Sequence, residues 1–230
     1  MVEFVDEHFL VLILGVAAVL TAVWLYLMRN RLKTNLVIVI LLSILHVIVG
    51  VGSVKLFAFL EGFGKEYNGA MSLFGAVFFM PFAYALGAKL TKRSMRDVFD
   101  IFTIPLVFTL LLSRINCLHA GCCYGLPIHG TSLRYPTREA EIIFYLVFMI
   151  IEVPKVYKGK TFGEVYPLYM MCYGIFRAVE ECFRYSASTN SLFHVTHVWA
   201  MLAFGLGISI YIELKRQRHL RTNRKTPKGD

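Results

Sequence analysis

The sequence predicts an all-α integral membrane protein of about seven transmembrane helices, with its N-terminus outside and its C-terminus cytoplasmic. Three observations carry that prediction. The chain is 57% hydrophobic and only 17% charged, with a mean hydropathy of +0.61. Its apolar residues gather in seven segments of roughly spanning length. Its clusters of Lys and Arg fall after the odd-numbered segments.

A soluble domain of 230 residues needs a more polar surface than this composition provides. A spanning helix takes ~20 mostly apolar residues. The segments 9–27, 35–54, 70–88, 98–114, 139–154, 165–183 and 193–212 meet that requirement approximately, and the fourth and sixth carry charge. No internal repeat or low-complexity linker divides the chain, so it reads as one polytopic domain, 1–214, with a basic cytoplasmic tail, 215–230. The opening MVEFVDEH holds three acids and no Lys or Arg, so the first apolar run reads as a span rather than a signal peptide.

The net charge of +9 raises the question of a nucleic-acid partner, and the placement of the charges answers it. Arg29, Arg31 and Lys33 follow the first segment. Lys89, Lys92, Arg93 and Arg96 follow the third, and Lys155, Lys158 and Lys160 the fifth. Lys215, Arg216, Arg218, Arg221, Arg224, Lys225 and Lys228 follow the seventh. This is the positive-inside pattern. The C-terminal run reads as an anchor near anionic membrane lipid, with no nucleic acid involved. The connection after the fourth segment, roughly Cys117 to Arg138, and the loop 184–192 then lie on the extracytoplasmic side. The basic residues left over are Lys55, Lys65, Arg114, Arg134, Arg138, Arg177 and Arg184, and topology does not require them there.

An arginine inside a spanning helix is unfavourable by ~2.5–3.5 kcal/mol on insertion scales and usually faces a polar interior. Arg177 stands in such a helix. Tyr173, Arg177, Glu181 and Arg184 fall within ~80° of one another at 100° per residue. Glu181 is spaced to pair with Arg177 and Arg184, so the group reads either as a locking ion network or as a ligand site. Arg114 closes the fourth segment. Asn116, His119, Tyr124, Gly121 and Gly125 follow it, and glycines let a backbone turn tightly and approach a ligand. Non-helical backbone at membrane depth is tolerated where it lines a cavity. Two arginines beside such a loop make an anion site, and lipid phosphate is the anion at hand.

The C-x4-C-C spacing of Cys117, Cys122 and Cys123 matches no common zinc pattern, even with His194 and His197 as further ligands, so no metal is expected. A Cys117–Cys122 disulfide and simple packing thiols are the other readings. Cys172 and Cys182 read as packing residues in the sixth segment. His46 reads as an interhelical hydrogen-bonding group.

These motifs resemble the prolipoprotein diacylglyceryl transferase family over roughly residues 8–212. RINCLHAGCCYG, from Arg114, is similar to its Arg-led, glycine-punctuated signature, with Arg114, Gly121 and Gly125 in place. GVGSVKLFAFLE and GAMSLFGAVF are similar to its glycine-rich stretches around the second and third helices. YPTREAE is similar to its Pro-to-Glu motif, with Pro136 and Glu141 retained. YGIFRAVEECFR matches its Tyr-Arg-Glu-Arg motif at Tyr173, Arg177, Glu181 and Arg184. There are departures. Cys117 stands at a usual Asn, Cys122 at a usual Glu, Phe74 at a usual His, and Thr196-His197 at a usual Gly-Gln pair. The chain resembles a branch with a G-C-C-Y-G ending.

The resemblance implies a multi-pass enzyme of the plasma (inner) membrane, with its active site toward the extracytoplasmic side. It would move diacylglyceryl from phosphatidylglycerol to a cysteine thiol of a lipobox-containing precursor, without a cofactor. Arg114 and Arg177 would neutralise the departing phosphate. His119, Tyr124 or His129 would serve as base. Tyr173, Glu181, Arg184, Gly121, Gly125, Cys117, Cys122 and Glu141 would line the substrate site. The rival readings are a related lipid-site enzyme with another acceptor, a membrane thiol-redox protein using Cys117, Cys122 and Cys123, and a lipid-binding protein without activity.

Overall fold

A computed structural model describes residues 2–62, 71–90, 92–184 and 194–225. Among these, all the regular secondary structure is helical. The chain runs as α1 (Val2–Leu27), the short α2 (Arg29–Leu32), α3 (Leu36–Glu61), α4 (Phe74–Leu90), α5 (Met95–His119), α6 (Thr137–Tyr157), α7 (Val165–Glu181) and α8 (Val195–Lys225). There are no β-strands among the described residues, only two isolated bridges. The expected outer loop 184–192 falls almost wholly outside the described residues.

Four stretches are long and apolar enough to cross a membrane: His8–Leu27, Leu36–Glu61, Met95–His119 and Val195–Leu220. Phe74–Lys89 is apolar but shorter. Helices α6 and α7 fall below that standard: α6 carries Glu141, Glu152 and Lys155, and α7 is only 17 residues long and carries Arg177, Glu180 and Glu181. The basic residues from Lys215 to Lys225 are helical and continue α8.

Helix α5 is the centre of the bundle. Of its spanning window 72% is buried, against 22–33% for the other three long spans. It packs on α1, α4, α6 and α7, while α3 packs on α1 and α4, and α7 on α8. The outer faces of α1 and α3 present Val11, Val19, Val37, Leu41, Leu45 and Ile48. A row of exposed aliphatics of that length suits hydrocarbon rather than water.

Pro105 interrupts α5 without breaking it. Proline has no N–H to give to the carbonyl four residues back, which here belongs to Ile101. Trp24 of α1 donates its indole N–H to that carbonyl at 2.8 Å. The lost intrahelical bond thus becomes a tie between two helices. Near the same end, Asp100 is completely buried and accepts the backbone N–H groups of Gly163 (2.6 Å) and Val165 (3.0 Å). The carboxylate satisfies amides at the start of α7, where helical N–H groups lack partners. Arg31 pairs with Asp97 and donates to the Val156 carbonyl at 2.6 Å.

Candidate active site

At the other end of α5, Arg114 is buried and its Nε pairs with Glu141 Oε2, one turn into α6. The second oxygen of Glu141 lies 3.4 Å from Arg177 Nη1 on α7. One carboxylate, 1% exposed, therefore joins arginines from two other helices. Arg177 also pairs with Glu180, and with Glu181 at 2.9 Å without hydrogen-bond alignment. Tyr145 donates to Glu141 at 3.4 Å. Buried ions need such partners, since one left alone is strongly destabilising.

Tyr173, Arg177 and Glu181 share a face of α7, as their spacing predicts. Arg184 does not extend that face. Helix α7 ends at Glu181, and Arg184 instead forms an isolated antiparallel bridge with Gly125. Arg184 is partly buried, and no carboxylate pairs with it among the described residues. Glu180, at i+3 from Arg177, is a network member that the sequence reading passed over. Its spacing was the available signal.

Helix α5 runs on to His119, past the end expected at Arg114, so Cys117 is helical. The chain then reverses through two left-handed residues, Gly121 (φ 61°) and Cys123 (φ 60°). At Gly125 any Cβ would stand 2.2 Å from the Tyr135 carbonyl oxygen, so only glycine fits. The turn is fastened from both sides. Leu126 N–H donates to Phe183 O (2.7 Å) and Tyr135 N–H to Leu126 O (3.0 Å). Arg138 donates to the carbonyls of Cys117 (3.4 Å) and Cys122 (3.3 Å), and Thr137 to that of Cys123 (3.3 Å). The sulfurs of Cys117, Cys122 and Cys123 consequently lie within 4.8 Å of one another. Burial pushes the Cys122 thiol up. Cys123 is pushed down to about 4, chiefly by a hydrogen bond from Cys117, with the charges of Arg184 and Arg114 adding to it.

A cavity of about 650 Å³ joins these parts. Its apolar walls include Leu10, Leu14, Val51, Met80 and Leu106. Arg114, Arg177, Arg184, Tyr173 and the three thiols border its polar end. From Leu106 to Arg114 the cavity follows α5 for ~12 Å at 1.5 Å per residue. The Tyr173 hydroxyl is buried and has no hydrogen-bond partner among the described residues.

The chain matches the family model for prolipoprotein diacylglyceryl transferase over residues 9–213. It belongs to the prolipoprotein diacylglyceryl transferase family. It is similar to a phosphatidylglycerol–prolipoprotein diacylglyceryl transferase of Clostridium tetani, at 23% identity over 64% of this chain and 65% of that one. It is also similar to phosphatidylglycerol–prolipoprotein diacylglyceryl transferase 2 of Clostridium perfringens, at 26% identity over 52% of each. The matches thus span just under two thirds and about half the length of these curated relatives.

As a member of the prolipoprotein diacylglyceryl transferase family, the chain brings Arg114, Cys117, Cys122, Tyr173, Arg177, Glu181 and Arg184 to one cavity, with Glu141 behind the arginines. Gly121 and Gly125 shape the turn beside it. The expected bases stand elsewhere. His119 is exposed and stacks on Phe9 at 3.9 Å between ring centroids. Tyr124 is 43% exposed, with the guanidinium carbons of Arg138 and Arg134 at 4.8 and 5.4 Å from its ring centroid. His129 is exposed as well. None of the three lines the cavity. Phe74 does, packing edge-on to Tyr173 at 5.6 Å. His46 also lines it, with Nδ1 3.4 Å from the Tyr84 hydroxyl of α4, the interhelical contact expected of it. His194 and His197 stand apart from the thiols; His197 accepts from the His194 backbone N–H at 3.1 Å, and its Nε2 is 3.7 Å from Cys182.

Proposed function

We propose that this protein is a seven-span enzyme of the cell membrane that transfers diacylglyceryl from phosphatidylglycerol to a cysteine thiol of a lipobox-containing precursor. In this reading α4, α6 and α7 cross together with the four longer spans. The N-terminus is outside, the C-terminus cytoplasmic, and the polar end of the cavity extracytoplasmic. The alternation of basic connections supports that orientation.

The observation that carries the reading is a single cavity with a long aliphatic wall and a cationic end. A phospholipid has the same division. Its acyl chains suit the walls of Leu10, Val51 and Leu106, and its phosphate the arginines. Arg177 already holds three carboxylates, so it acts mainly as a positioning residue. Arg114 and Arg184 supply the donors that meet phosphate, Arg114 with the part of its fork that Glu141 leaves over. The Tyr173 hydroxyl donates to the same headgroup. In the reaction the acceptor sulfur forms a bond to the glyceryl carbon. That carbon's bond to phosphate oxygen breaks, and the electron pair leaves on glycerol phosphate. Cations fixed beside that oxygen before the reaction stabilise the developing charge without rearranging.

A second reading, a related enzyme with another acceptor, is favoured by Phe74, Cys117 and Cys122 standing on the cavity wall. Both are tested in vesicles of phosphatidylglycerol with the purified protein and a lipobox peptide. A diacylglyceryl thioether on the peptide cysteine is expected, with none in phosphatidylethanolamine vesicles. Consumption of phosphatidylglycerol with an unmodified peptide would replace the first reading with the second. No consumption by folded protein would reject both.

A further inference from the structure

The carboxylate bordering the polar end of the cavity, Glu181, is paired with Arg177 at 2.9 Å, and none of His119, Tyr124 and His129 lines the cavity, yet the proposed reaction needs the acceptor as a thiolate. Three cysteines converge there instead. We propose that Cys117, Cys122 and Cys123 form a three-thiolate site for a soft divalent ion of the zinc class, whose open fourth position takes the acceptor thiol. The proposal rests on the transferase reading above and deepens it.

The geometry supports it in three ways. Sulfurs on one zinc-class ion at ~2.3 Å must lie ~3.8–4.0 Å apart. The three here are already within 4.8 Å, so small side-chain rotations close the set. Their backbone is fixed before any ion arrives. Arg138 holds the carbonyls of Cys117 and Cys122, Thr137 holds that of Cys123, and Cys123 adopts a left-handed φ of 60°. Three thiolates on a divalent ion carry a net negative charge. Arg114 Nη1, 3.8 Å from Cys117 Sγ, offsets it. Three protein ligands with one position left over is the arrangement of a catalytic rather than a structural zinc site. The sequence spacing C-x4-C-C conceals this site, because α5 and the turn at Gly121 bring together residues whose separation matches no familiar pattern.

The chemistry balances. The acceptor thiol binds the ion and releases its proton to water, since a coordinated thiol is deprotonated. The bound thiolate attacks the glyceryl carbon, forming C–S as C–O breaks. The phosphate oxygen takes the electron pair beside Arg114 and Arg184. The product thioether is neutral and a weaker ligand, so it leaves the ion. No oxidant or reductant is required.

The test uses the full chain, reduced and metal-free, in phosphatidylglycerol nanodiscs, with Cd(II) as a spectroscopic probe and Zn(II) as competitor. One Cd(II) per chain is expected, with a thiolate-to-cadmium charge-transfer band that Zn(II) removes. Cys117→Ser, Cys122→Ser and Cys123→Ser should each weaken binding by at least about a hundred-fold, taking loss of a ligand to exceed loss of an outer-shell partner. Cys172→Ser should leave it unchanged. A peptide bearing a lipobox cysteine should increase the band, and its serine analogue should not. The proposal is overturned by absence of stoichiometric binding, by a disulfide among the three in protein isolated without reductant, or by a band indifferent to the peptide. If the band responds but no lipid reaches the peptide, the site stands and the transferase reading fails. If lipid is transferred by metal-free protein at full rate, the transferase reading stands and this proposal fails.

Discussion

The two ends of α5 use buried charge differently. At the Asp100 end, the carboxylate accepts two backbone amides at the start of α7, and Arg31 holds Asp97 and a carbonyl. Each ion there completes a connection between helices. At the Arg114 end, ions from α5, α6 and α7 also pair, but they border a cavity and leave the Tyr173 hydroxyl without a partner among the described residues. The contrast separates charge used to assemble a bundle from charge kept beside a space. Substitutions at the first end should change stability and leave turnover per folded molecule alone. Those at the second should change turnover.

The largest expected effect tests where that division weakens. Glu141 belongs to the cavity end, yet it joins Arg114 to Arg177, so Glu141→Gln should lower both quantities. Breaking a buried ion pair on one side is worth ~3–5 kcal/mol of stability. Denaturant unfolding in detergent should show a loss of that order, with transfer nearly abolished. An unchanged midpoint would mean that the bridge is not what holds these helices.

Arg114→Lys comes next. It should keep the fold and lower lipid transfer roughly ten- to a hundred-fold, the equivalent of ~1.5–3 kcal/mol for one charge-assisted contact. Arg184→Lys should behave likewise. Arg177→Lys should shift the melting temperature more than the KM for phosphatidylglycerol. The opposite ranking would make Arg177 the headgroup ligand and Arg114 the strut.

Asp100→Asn should destabilise by about 2 kcal/mol, the range for hydrogen bonds to a charged acceptor. Its kcat per folded molecule should match the parent. Trp24→Phe is the smallest change. It leaves the Ile101 carbonyl unpaired and should reduce stability by ~1 kcal/mol in a melting series, with transfer unaltered. A transfer defect in either variant would erase the distinction between the two ends.

Arg114 and Arg177 were legible in the sequence because charge inside an apolar segment demands a reason. Glu141 was legible as a site residue, but its bridging role was not. That role depends on α6 packing against α5 and α7, which spacing along the chain does not encode. His119 shows the reverse failure. The sequence places it beside Arg114, yet α5 remains helical to His119. Five further residues at 100° each turn it ~140° away from Arg114 and onto Phe9 of α1. Arg184 was read on the face of α7 because nothing local marks the helix end at Glu181. The close approach at Gly125 sets its position, and that is a tertiary contact. The apolar segments are local properties and fall on helices. Their capacity to cross a membrane is less evident where Glu152, Arg177 and Glu180 interrupt them.

Helix α1 supplies part of the cavity wall, from Leu10 to Ala17, and it is pinned to α5 on either side of that stretch. One pin is the buried bond from Trp24 to Ile101. The other is the exposed stack of Phe9 on His119. The two lie fifteen residues apart, a span of ~22 Å along a helix. A beam held at two points bows instead of swinging, and it yields first at its weaker support. An aromatic pair contributes ~0.5–1.5 kcal/mol beyond the area it buries, and here it is open to its surroundings. The wall is therefore stiffest at its base and most compliant at the rim, level with the arginines and the thiols.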